Sequence, residues 1–470
     1  MAAAAEPRPA LSEAGNPRAV QAFANSSEFD LLVACCADSS GQDSSDERHA
    51  DRIRQILSRP LNWERMLSLV DHHRVVPQVY GELSALSHLV PAQQLDALRL
   101  RYQDNARKAL WFTGELVRIL SHLESVGIKA LPYKGPVLAE TLYGEVTQRQ
   151  FGDLDVLILP ADVPKAKTAL LDLGYKLGIE LAPLEEHAYI ETAYVETGYE
   201  YSFSAAYGSN LLELQWRIVP RFYSINFDVT GFFERADEII LGGRDCVATQ
   251  QPLKKWTEVS PNSREAAQEC SPRRKPWVES GTAPSPSGAK DQMRHSLGRP
   301  MRTLRAQDLL LVLCVHAAKH VWVQLSWLCD IAQLAKSRPL DWNAIQDDAR
   351  RLGIERIVSL NLLLAHKLLG SELPPAIQNR LPEDPLTTVL ADEILRVIER
   401  SVHYDTESIP YFRLMMRLRE RWQDRARFLW RLTLTPGMSE WSAVRLPKPL
   451  QPLYRLVRLS RLAKRLASAG

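Results

Sequence analysis

Residues 151–159, Phe-Gly-Asp-Leu-Asp-Val-Leu-Ile-Leu, decide the fold of this chain. Their second half is rich in Val, Ile and Leu, which predicts a β-strand. Because side chains alternate across a strand, Asp153 and Asp155 point to one face while Leu154 and Val156 point to the core. Two carboxylates held side by side repel each other unless a cation lies between them. The stretch therefore predicts a strand that begins with a cation site.

A third acid lies in a second predicted strand, residues 211–218. Apolar residues alternate along this strand and leave Glu213 and Gln215 on the opposite face. An acid on a covered face is costly unless it has a partner. If this strand lies beside that of Asp153 and Asp155, three carboxylates converge. Oxygen ligands of this kind suit a hard divalent cation, and magnesium keeps open positions for phosphate oxygens.

A phosphate site is predicted between the strand at residues 128–133 and the helix that follows it. This junction, Lys134-Gly135, offers free backbone N–H groups and the positive end of a helix dipole. Gly135 allows close backbone approach, and Arg149 supplies a further phosphate contact. Taken singly, the lysine and glycine form an ordinary turn and Arg149 is a surface charge. The order of strand, Lys-Gly, helix, Arg and paired aspartates is what favours metal and phosphate binding.

The pattern of the rest of the chain is mostly helical. With 470 residues the chain exceeds one compact core, so several regions are expected. Helical periodicity dominates before residue 127 and after residue 304, whereas strands and helices mix between these points. The sequence therefore predicts an α+β fold, in which a small mixed-sheet core lies between N-terminal and C-terminal α-helical regions. The predicted regions are a disordered N-terminus (1–28), an N-terminal helical region (29–127), the mixed-sheet core (128–245), a disordered insertion (246–303) and a C-terminal helical domain (304–470).

Composition and motif content exclude several classes of protein. The formal net charge of +2 gives no whole-chain reason to expect a nucleic-acid partner. No apolar run approaches the ~20 residues that a membrane span needs, and residues 1–9 lack the features of a secretory signal. The six cysteines form no Cys-x-x-Cys pair, as expected for free thiols in a reducing cytoplasm. Walker, dinucleotide-binding and α/β-hydrolase motifs are missing, so we expect a cytoplasmic protein of another class without a membrane span.

Several of these motifs resemble one family of enzymes. The combination of Lys134-Gly135, Arg149, Asp153-Leu154-Asp155 and a later acid is similar to the nucleotidyltransferase-like family of the DNA polymerase β superfamily. The resemblance is greatest to its largely uncharacterised bacterial branch, whose helical part carries spaced histidines, tryptophans and an aspartate. In this chain that second pattern consists of His316, His320, Trp322, Trp327 and Asp330.

The resemblance implies a function for these residues. Three carboxylates would form the catalytic, metal-binding set: Asp153, Asp155 and Glu213. Three neighbours would line the bound nucleoside triphosphate: Lys134, Gly135 and Arg149. The implied reaction is an in-line attack by an acceptor hydroxyl on the α-phosphate, with two magnesium ions and release of pyrophosphate. A nucleoside monophosphate, AMP from ATP, would thus pass to a hydroxyl of a small molecule or a protein, and nucleic acid is not favoured as the acceptor.

Four further polar residues, Gln215, His316, His320 and Asp330, leave alternatives open. Gln215 stands where relatives commonly carry a histidine, and an amide cannot act as a base. This favours, as the alternative, a catalytically degenerate nucleotidyltransferase fold that serves as a binding or regulatory module. His316 and His320 lie on one helix face but lack the glutamate of a zinc-protease motif. They are expected to be a structural pair or, with Gln215 and Asp330, to line the acceptor pocket.

Overall fold

The computed structural model describes residues 26–37, 42–178, 195–196, 198–205, 210–241, 300–401, 408–435, 444, 446 and 448–468. The sequence predicts a turn between two strands at residues 207–210, and residues 207–209 lie outside these ranges, as do most of the two segments predicted to be disordered. The helices before the sheet are α1 (Ser27–Cys36), α2 (Gln42–Leu57), α3 (Trp63–His73), α4 (Val76–Ala85) and α5 (Ala92–Ser125). Those within the sheet region are α6 (Gly135–Tyr143), α7 (Val163–Asp172) and α8 (Val229–Glu234). Those after it are α9 (Ala306–Lys319), α10 (Leu325–Ser337), α11 (Trp342–Leu352), α12 (Glu355–Leu369), α13 (Pro375–Arg380), α14 (Pro385–Glu399), α15 (Ile409–Arg417), α16 (Trp422–Leu434) and α17 (Tyr454–Ser468).

A five-stranded mixed sheet contains the strands of the predicted core. Its strands are β1 (Ala130–Pro132), β2 (Leu154–Ile158), β3 (Lys176–Leu177), β4 (Glu200–Ser204) and β5 (Asn210–Gln215). They follow the order β1-β2-β5-β4-β3, in which the β2–β5 pair is parallel and the other pairs are antiparallel. The predicted α+β fold, with helical regions before and after a small mixed sheet, is confirmed.

The pairing of β2 with β5 determines which side chains share a face of the sheet. In this parallel register Asp155 lies opposite Glu213, and Leu154 lies opposite Leu212. Both leucines are buried. A shift of one residue would turn every apolar side chain of β5 to the wrong face. Burial of the leucines therefore holds the two acids side by side.

Helices cover the sheet and connect the two ends of the chain. α5 and α7 pack on each other, α5 also packs on β1, and α7 also packs on β3. After the sheet, α9, α10 and α12 pack together, and α12 also contacts α1. Leu310, Leu328 and Leu360 of this group are completely buried, and burial of one leucine contributes about 1.5–3 kcal/mol. The N-terminal and C-terminal helices thus share one apolar core.

The apolar spacing from Asp308 to Lys336 predicts one helix, but the structure interrupts it. The structure has two helices here, α9 and α10, joined by a turn in which Val321 and Trp322 adopt positive φ angles of 54° and 50°. Residues other than glycine rarely take this conformation. Here the turn buries the indole of Trp322, whose N–H donates to Asn361 Oδ1 at 2.7 Å. Because apolar residues continue through the turn without glycine or proline, periodicity alone predicts one helix where there are two.

Two ordered elements begin inside the segments predicted to be disordered. α1 begins at Ser27, inside the segment predicted to be disordered. The Ser26 side chain accepts a hydrogen bond from the Phe29 N–H at 3.2 Å and so caps this helix. At the end of the predicted insertion, residues Pro300–Thr303 form a strand, β7, shortly before α9. Its pairing with a strand that precedes the insertion orders these four residues.

Contacts divide the chain into a large unit, residues 1–237 and 302–470, and a small unit, residues 238–301. The small unit contains most of β6 (Asp237–Ile240) and the start of β7, which pair as a two-stranded sheet. Every side chain of the candidate site lies in the large unit.

A buried ion pair joins the sheet region to the C-terminal helices. The guanidinium of Arg149, just before β2, donates from Nε and Nη2 to the Asp330 carboxylate of α10 at 2.9–3.0 Å. The Tyr143 hydroxyl at the end of α6 donates to the same carboxylate at 3.0 Å. Both charged side chains are almost completely buried. Each charge is thus neutralised in bidentate geometry by a partner 181 residues away in the sequence.

We predict that Arg149→Met lowers the free energy of unfolding by about 3–5 kcal/mol, because it leaves the Asp330 carboxylate buried without its partner. Arg107→Met is the matched control, since Arg107 pairs with Asp104 on the exposed surface and should change stability by less than about 0.5 kcal/mol. Urea unfolding of both variants measures the difference. If both variants lost the same free energy of unfolding, the pair of Arg149 and Asp330 would not stabilise the contact between the sheet region and the C-terminal helices.

Candidate active site

A cavity of about 840 Å³ is enclosed jointly by the sheet region and the C-terminal helices. On the sheet side its wall contains Asp153, Asp155 and Glu213. On the helical side α9, α10 and α17 contribute to it, the last through Arg458 and Arg461. Its volume lies within the range of small-molecule and cofactor sites. The three acids singled out from the sequence are therefore brought to one cavity.

Gln215 connects the carboxylates on this face of the sheet. Its amide nitrogen lies 3.1 Å from Asp155 Oδ1, 3.0 Å from Glu213 Oε2 and 3.3 Å from Glu200 Oε2. Its carbonyl oxygen accepts a hydrogen bond from the hydroxyl of Tyr133. An amide nitrogen carries two protons, so these contacts orient acids without adding charge. Gln215 therefore orients the acids at the position where the family resemblance leads one to expect a histidine.

Two of the acids have raised pKa values. Burial first, and then the neighbouring carboxylates of Asp155 and Glu200, raises the pKa of Glu213 from 4.5 to about 8. The pKa of Asp153 is also raised, by burial and by the Asp155 carboxylate. Like charges held together away from water favour the neutral form unless positive charge is supplied. This face of the sheet is therefore short of positive charge.

Lys134 supplies part of that positive charge. Its ammonium donates to Asp155 Oδ1 at 2.8 Å and lies 3.2 Å from His316 Nδ1. Burial alone would lower the pKa of Lys134, but the Asp155 and Glu213 carboxylates outweigh burial, and the net shift is upward. The lysine thus stays charged. Lys134, which the sequence predicts to line the triphosphate, contacts Asp155 in this structure.

The carboxylates are ligands of the type that magnesium prefers, but they do not surround a common point as metal ligands do. Among the described residues, no group of three or more His, Cys, Asp or Glu side chains is arranged to hold a metal ion. The Lys134 ammonium already lies against Asp155. Carboxylate oxygens are the ligands that magnesium takes, and the burial of these acids makes their negative charge costly. The residues present therefore fit a hard divalent cation in their chemistry, with Lys134 as the competing charge.

Gly135 brings the start of α6 close to the acid-bearing strand. Its φ of 57° is left-handed, and a Cβ there would lie 3.3 Å from the Asp153 carbonyl oxygen and 3.5 Å from the Leu154 side chain. Glycine accepts both this conformation and this close contact. Gly135 lines the cavity and is the first residue of α6. The N–H groups of the first turn, which have no partner within the helix, therefore begin at the cavity wall.

The structure pairs Arg149 with Asp330, although the sequence predicts one at the triphosphate and the other in the acceptor pocket. Asp330 is not among the residues that line the cavity, whereas Arg149 is. Burial raises the pKa of Asp153, and the Arg149 charge offsets part of that rise. Arg149 thus acts on the acids from within an ion pair. The contact of Arg149 with a triphosphate and the place of Asp330 in an acceptor pocket both stay predictions.

Two neutral histidines form part of the helical wall of the cavity. The rings of His316 and His320 lie 4.7 Å apart, and they contact Trp327 at centroid distances of 5.2 and 5.5 Å. Burial lowers the pKa of both imidazoles well below 6.5, and the charges of Lys134 and Lys319 lower these pKa values further. Both rings are therefore neutral at physiological pH. The pair packs against an aromatic ring and also lines the cavity, which is consistent with both predicted interpretations.

The structure adds a fourth acid, Glu200, to this face of the sheet. In β4 it lies opposite Gln215 of β5, and it lines the cavity. Tyr201 and Phe203 of the same strand are buried on the opposite face. The alternation that predicts Glu213 applies to Glu200 as well, but a single acid on a strand does not by itself indicate a functional site.

Two basic residues of the cavity were also missed from the sequence. Lys319 of α9 donates to the Tyr199 hydroxyl at 3.1 Å, and its ammonium lies 4.5 Å from the centre of that ring. Burial lowers the pKa of Lys319, and the Glu200 carboxylate opposes this effect. Arg74, the left-handed residue that ends α3, lines the cavity as well. Lys319 lies on the same helical turn as the histidines, whereas no pattern in the sequence indicates Arg74.

Comparison with known proteins identifies a family. A family model described as an uncharacterised nucleotidyltransferase matches residues 59–253 and 276–370, which together make up more than half of the chain. The match includes the acids of the sheet, the strand–helix junction and the two histidines, whereas α13 to α17 lie beyond it. The family predicted from the sequence motifs is confirmed. A search of curated proteins and a search of solved structures gave no match.

We predict that Glu213→Gln stabilises the protein at alkaline pH but not at acidic pH. The pKa of Glu213 is raised in the folded state, so the wild-type protein loses stability as the pH rises from 4.5 through about 8. An amide cannot ionise and escapes this loss. The gain should be below about 1 kcal/mol at about pH 5 and on the order of 5 kcal/mol at about pH 9, as measured by urea unfolding in the presence of a chelator.

Glu64→Gln is the control for this prediction, because Glu64 is exposed in the first turn of α3. Its effect on the free energy of unfolding should be the same at both pH values. If the effect of Glu213→Gln were equally independent of pH, the acids would not be held close enough to repel one another.

Proposed function

The chain belongs to the uncharacterised nucleotidyltransferase family, and on that basis we propose that it is an enzyme that transfers a nucleoside monophosphate. The donor is a nucleoside triphosphate, with ATP as the first candidate, and the acceptor is a hydroxyl of a small molecule or a protein. The hydroxyl oxygen bonds to the α-phosphorus and loses its proton. The bond between the α-phosphorus and the bridging oxygen breaks, and pyrophosphate leaves with that electron pair.

One observation carries this proposal: Asp155 and Glu213 lie opposite each other on adjoining parallel strands and line one cavity. Asp153 joins them there from the residue before β2. Buried carboxylates destabilise a fold unless they are compensated, and the sheet does not need them for its packing. A function that requires clustered negative charge, such as holding a divalent cation against a triphosphate, accounts for their position.

In the proposed enzyme Asp153, Asp155 and Glu213 hold magnesium, and the family resemblance favours two ions. When bound, magnesium neutralises phosphate charge and polarises the α-phosphate for attack. Gln215 keeps Asp155 and Glu213 oriented through its amide protons. Because that amide adds no charge, it does not weaken the attraction of the acids for a cation.

Phosphate binding is assigned to the strand–helix junction. Gly135 places the first turn of α6 at the cavity wall, and helix N-termini favour phosphate through their N–H groups and dipole. Lys134 stays charged beside this junction and is well placed to pair with a phosphate oxygen. The helical wall, with His320, Lys319 and Trp327, is left for the acceptor.

We predict that Asp155→Asn lowers nucleotidyl transfer by about a hundredfold or more, since loss of one group that stabilises developing charge commonly costs that much. The assay follows transfer of label from α-labelled ATP to a mixed pool of metabolites and proteins, with magnesium and with a chelator. Asp172→Asn is the matched control, because it makes the same chemical change at an exposed position at the end of α7. Equal activity in the two variants, or transfer that persists with the chelator, would contradict the assigned roles.

A second function is favoured by a specific observation, the ion pair that Lys134 already forms with Asp155. Because this lysine neutralises an acid of the site, the site suits a degenerate fold that binds nucleotide as a regulatory module. Gln215 in place of histidine agrees with this function. Isothermal titration with magnesium–ATP separates the two functions. Binding without label transfer would favour the module, and binding with transfer the enzyme.

A further inference from the structure

Two C-terminal helices, α16 and α17, expose large apolar side chains. On α16 Trp422 is 73% exposed, Trp430 68% and Leu429 45%. On α17 Leu456 is 60% exposed and Leu459 39%. Single apolar residues on a surface are ordinary, whereas a group of them indicates a binding surface. α16 and α17 pack on each other, and we call their five exposed apolar side chains the tryptophan surface.

The geometry of α16 explains why its tryptophans face outward. Asp424, Phe428 and Leu432 recur every four residues and are buried, so they form the packed side of the helix. Trp422 and Trp430 fall on the other side. They are not needed to complete the packing of α16, and their exposure is a cost that a partner would remove.

α17 is basic on its inward side and apolar on its outward side. Arg458 and Arg461 line the cavity, and Arg458 Nε donates to the Leu432 carbonyl oxygen of α16 at 2.6 Å. Leu456 and Leu459 are exposed on the other side. A helix of a water-soluble surface usually has the reverse arrangement. α17 therefore presents its leucines to something other than water.

The two helices also expose positive charge. The two helices contain eight Arg and Lys residues and one acid, Asp424. That acid is buried and lies 3.2 Å from Arg427. Arg427 of α16 and Arg455 and Lys464 of α17 are exposed, whereas Arg458 and Arg461 line the cavity. The surface is thus complementary to a partner that combines negative charge with an apolar interior.

We propose that the tryptophan surface docks on an anionic lipid bilayer and lies in its headgroup region. Tryptophan favours the membrane–water interface, leucine side chains reach the acyl chains, and basic side chains pair with anionic headgroups. A nucleic acid would engage the basic side chains and leave the leucines in water, so the combination favours lipid. The contact is peripheral, with both helices along the surface. No helix in the described part of the chain is long and apolar enough to cross a bilayer.

Sedimentation of the full chain with vesicles tests this proposal. The wild-type protein should bind vesicles of phosphatidylcholine mixed with phosphatidylserine and should not bind vesicles of phosphatidylcholine alone. Trp422→Ser combined with Trp430→Ser should lower the partition coefficient by about tenfold or more, because affinity scales with the apolar area that is buried. Trp111→Ser is the matched control, since Trp111 is 52% exposed on α5, and it should bind as the wild type does.

A charge variant and a salt titration complete the test. Arg455→Gln combined with Lys464→Gln should weaken binding to the mixed vesicles, as should raised salt. Thermal unfolding followed by circular dichroism verifies that each variant is folded. Unchanged binding by the double tryptophan variant, equal binding to both kinds of vesicle, or no sedimentation with either would overturn the proposal. Binding to single-stranded poly-uridine that the tryptophan variant abolishes would instead assign the surface to RNA. None of these readouts depends on the proposed transfer reaction.

Discussion

The repulsion between carboxylates on one face of the mixed sheet is the constraint on which the rest of the structure depends. The acids come together because the apolar side chains between them are buried on the opposite face, so that packing enforces an electrostatic cost. Lys134 and Gln215 offset part of this cost through direct contacts with Asp155. The remainder is visible in the raised pKa values of Asp153 and Glu213. Local packing and local charge thus oppose each other here, a conflict typical of functional sites.

The C-terminal helices cover this site and also contribute side chains to it. His316 lies against Lys134. Lys319 brings a second ammonium to the site; burial lowers the pKa of that ammonium, and the charge of Glu200 opposes this effect. The pair of Arg149 and Asp330 fixes α10 against the segment that leads into the acid-bearing strand. Without these helices the acids would face water and lose both their burial and their basic neighbours. The small sheet and the helical region therefore make one site from two parts of the chain.

Features set by local periodicity could be predicted from the sequence, and features set by distant contacts could not. Alternation within each strand was enough to place Asp155 and Glu213 opposite the apolar side chains of their own strands, but the pairing of β2 with β5 became known only from the structure. The partner of Arg149 depends on how α10 packs, and nothing near position 149 specifies it. The turn at Trp322 likewise depends on Asn361, a residue of another helix. The family motifs therefore identified residues that line the cavity, but they did not predict the contacts between those residues.

The long separation between Arg149 and Asp330 has a consequence for biosynthesis. Ribosomes add about 5–20 residues per second, so the carboxylate emerges about 10–40 s after the guanidinium that it neutralises. In the later part of that interval, after residue 215 has been added, the nascent sheet has its five strands but not α9 and α10, which cover its charged face. A half-made chain in this state exposes apolar and ionised groups together, which is the kind of surface that chaperones recognise. Maturation of the sheet therefore waits for the translation of α10.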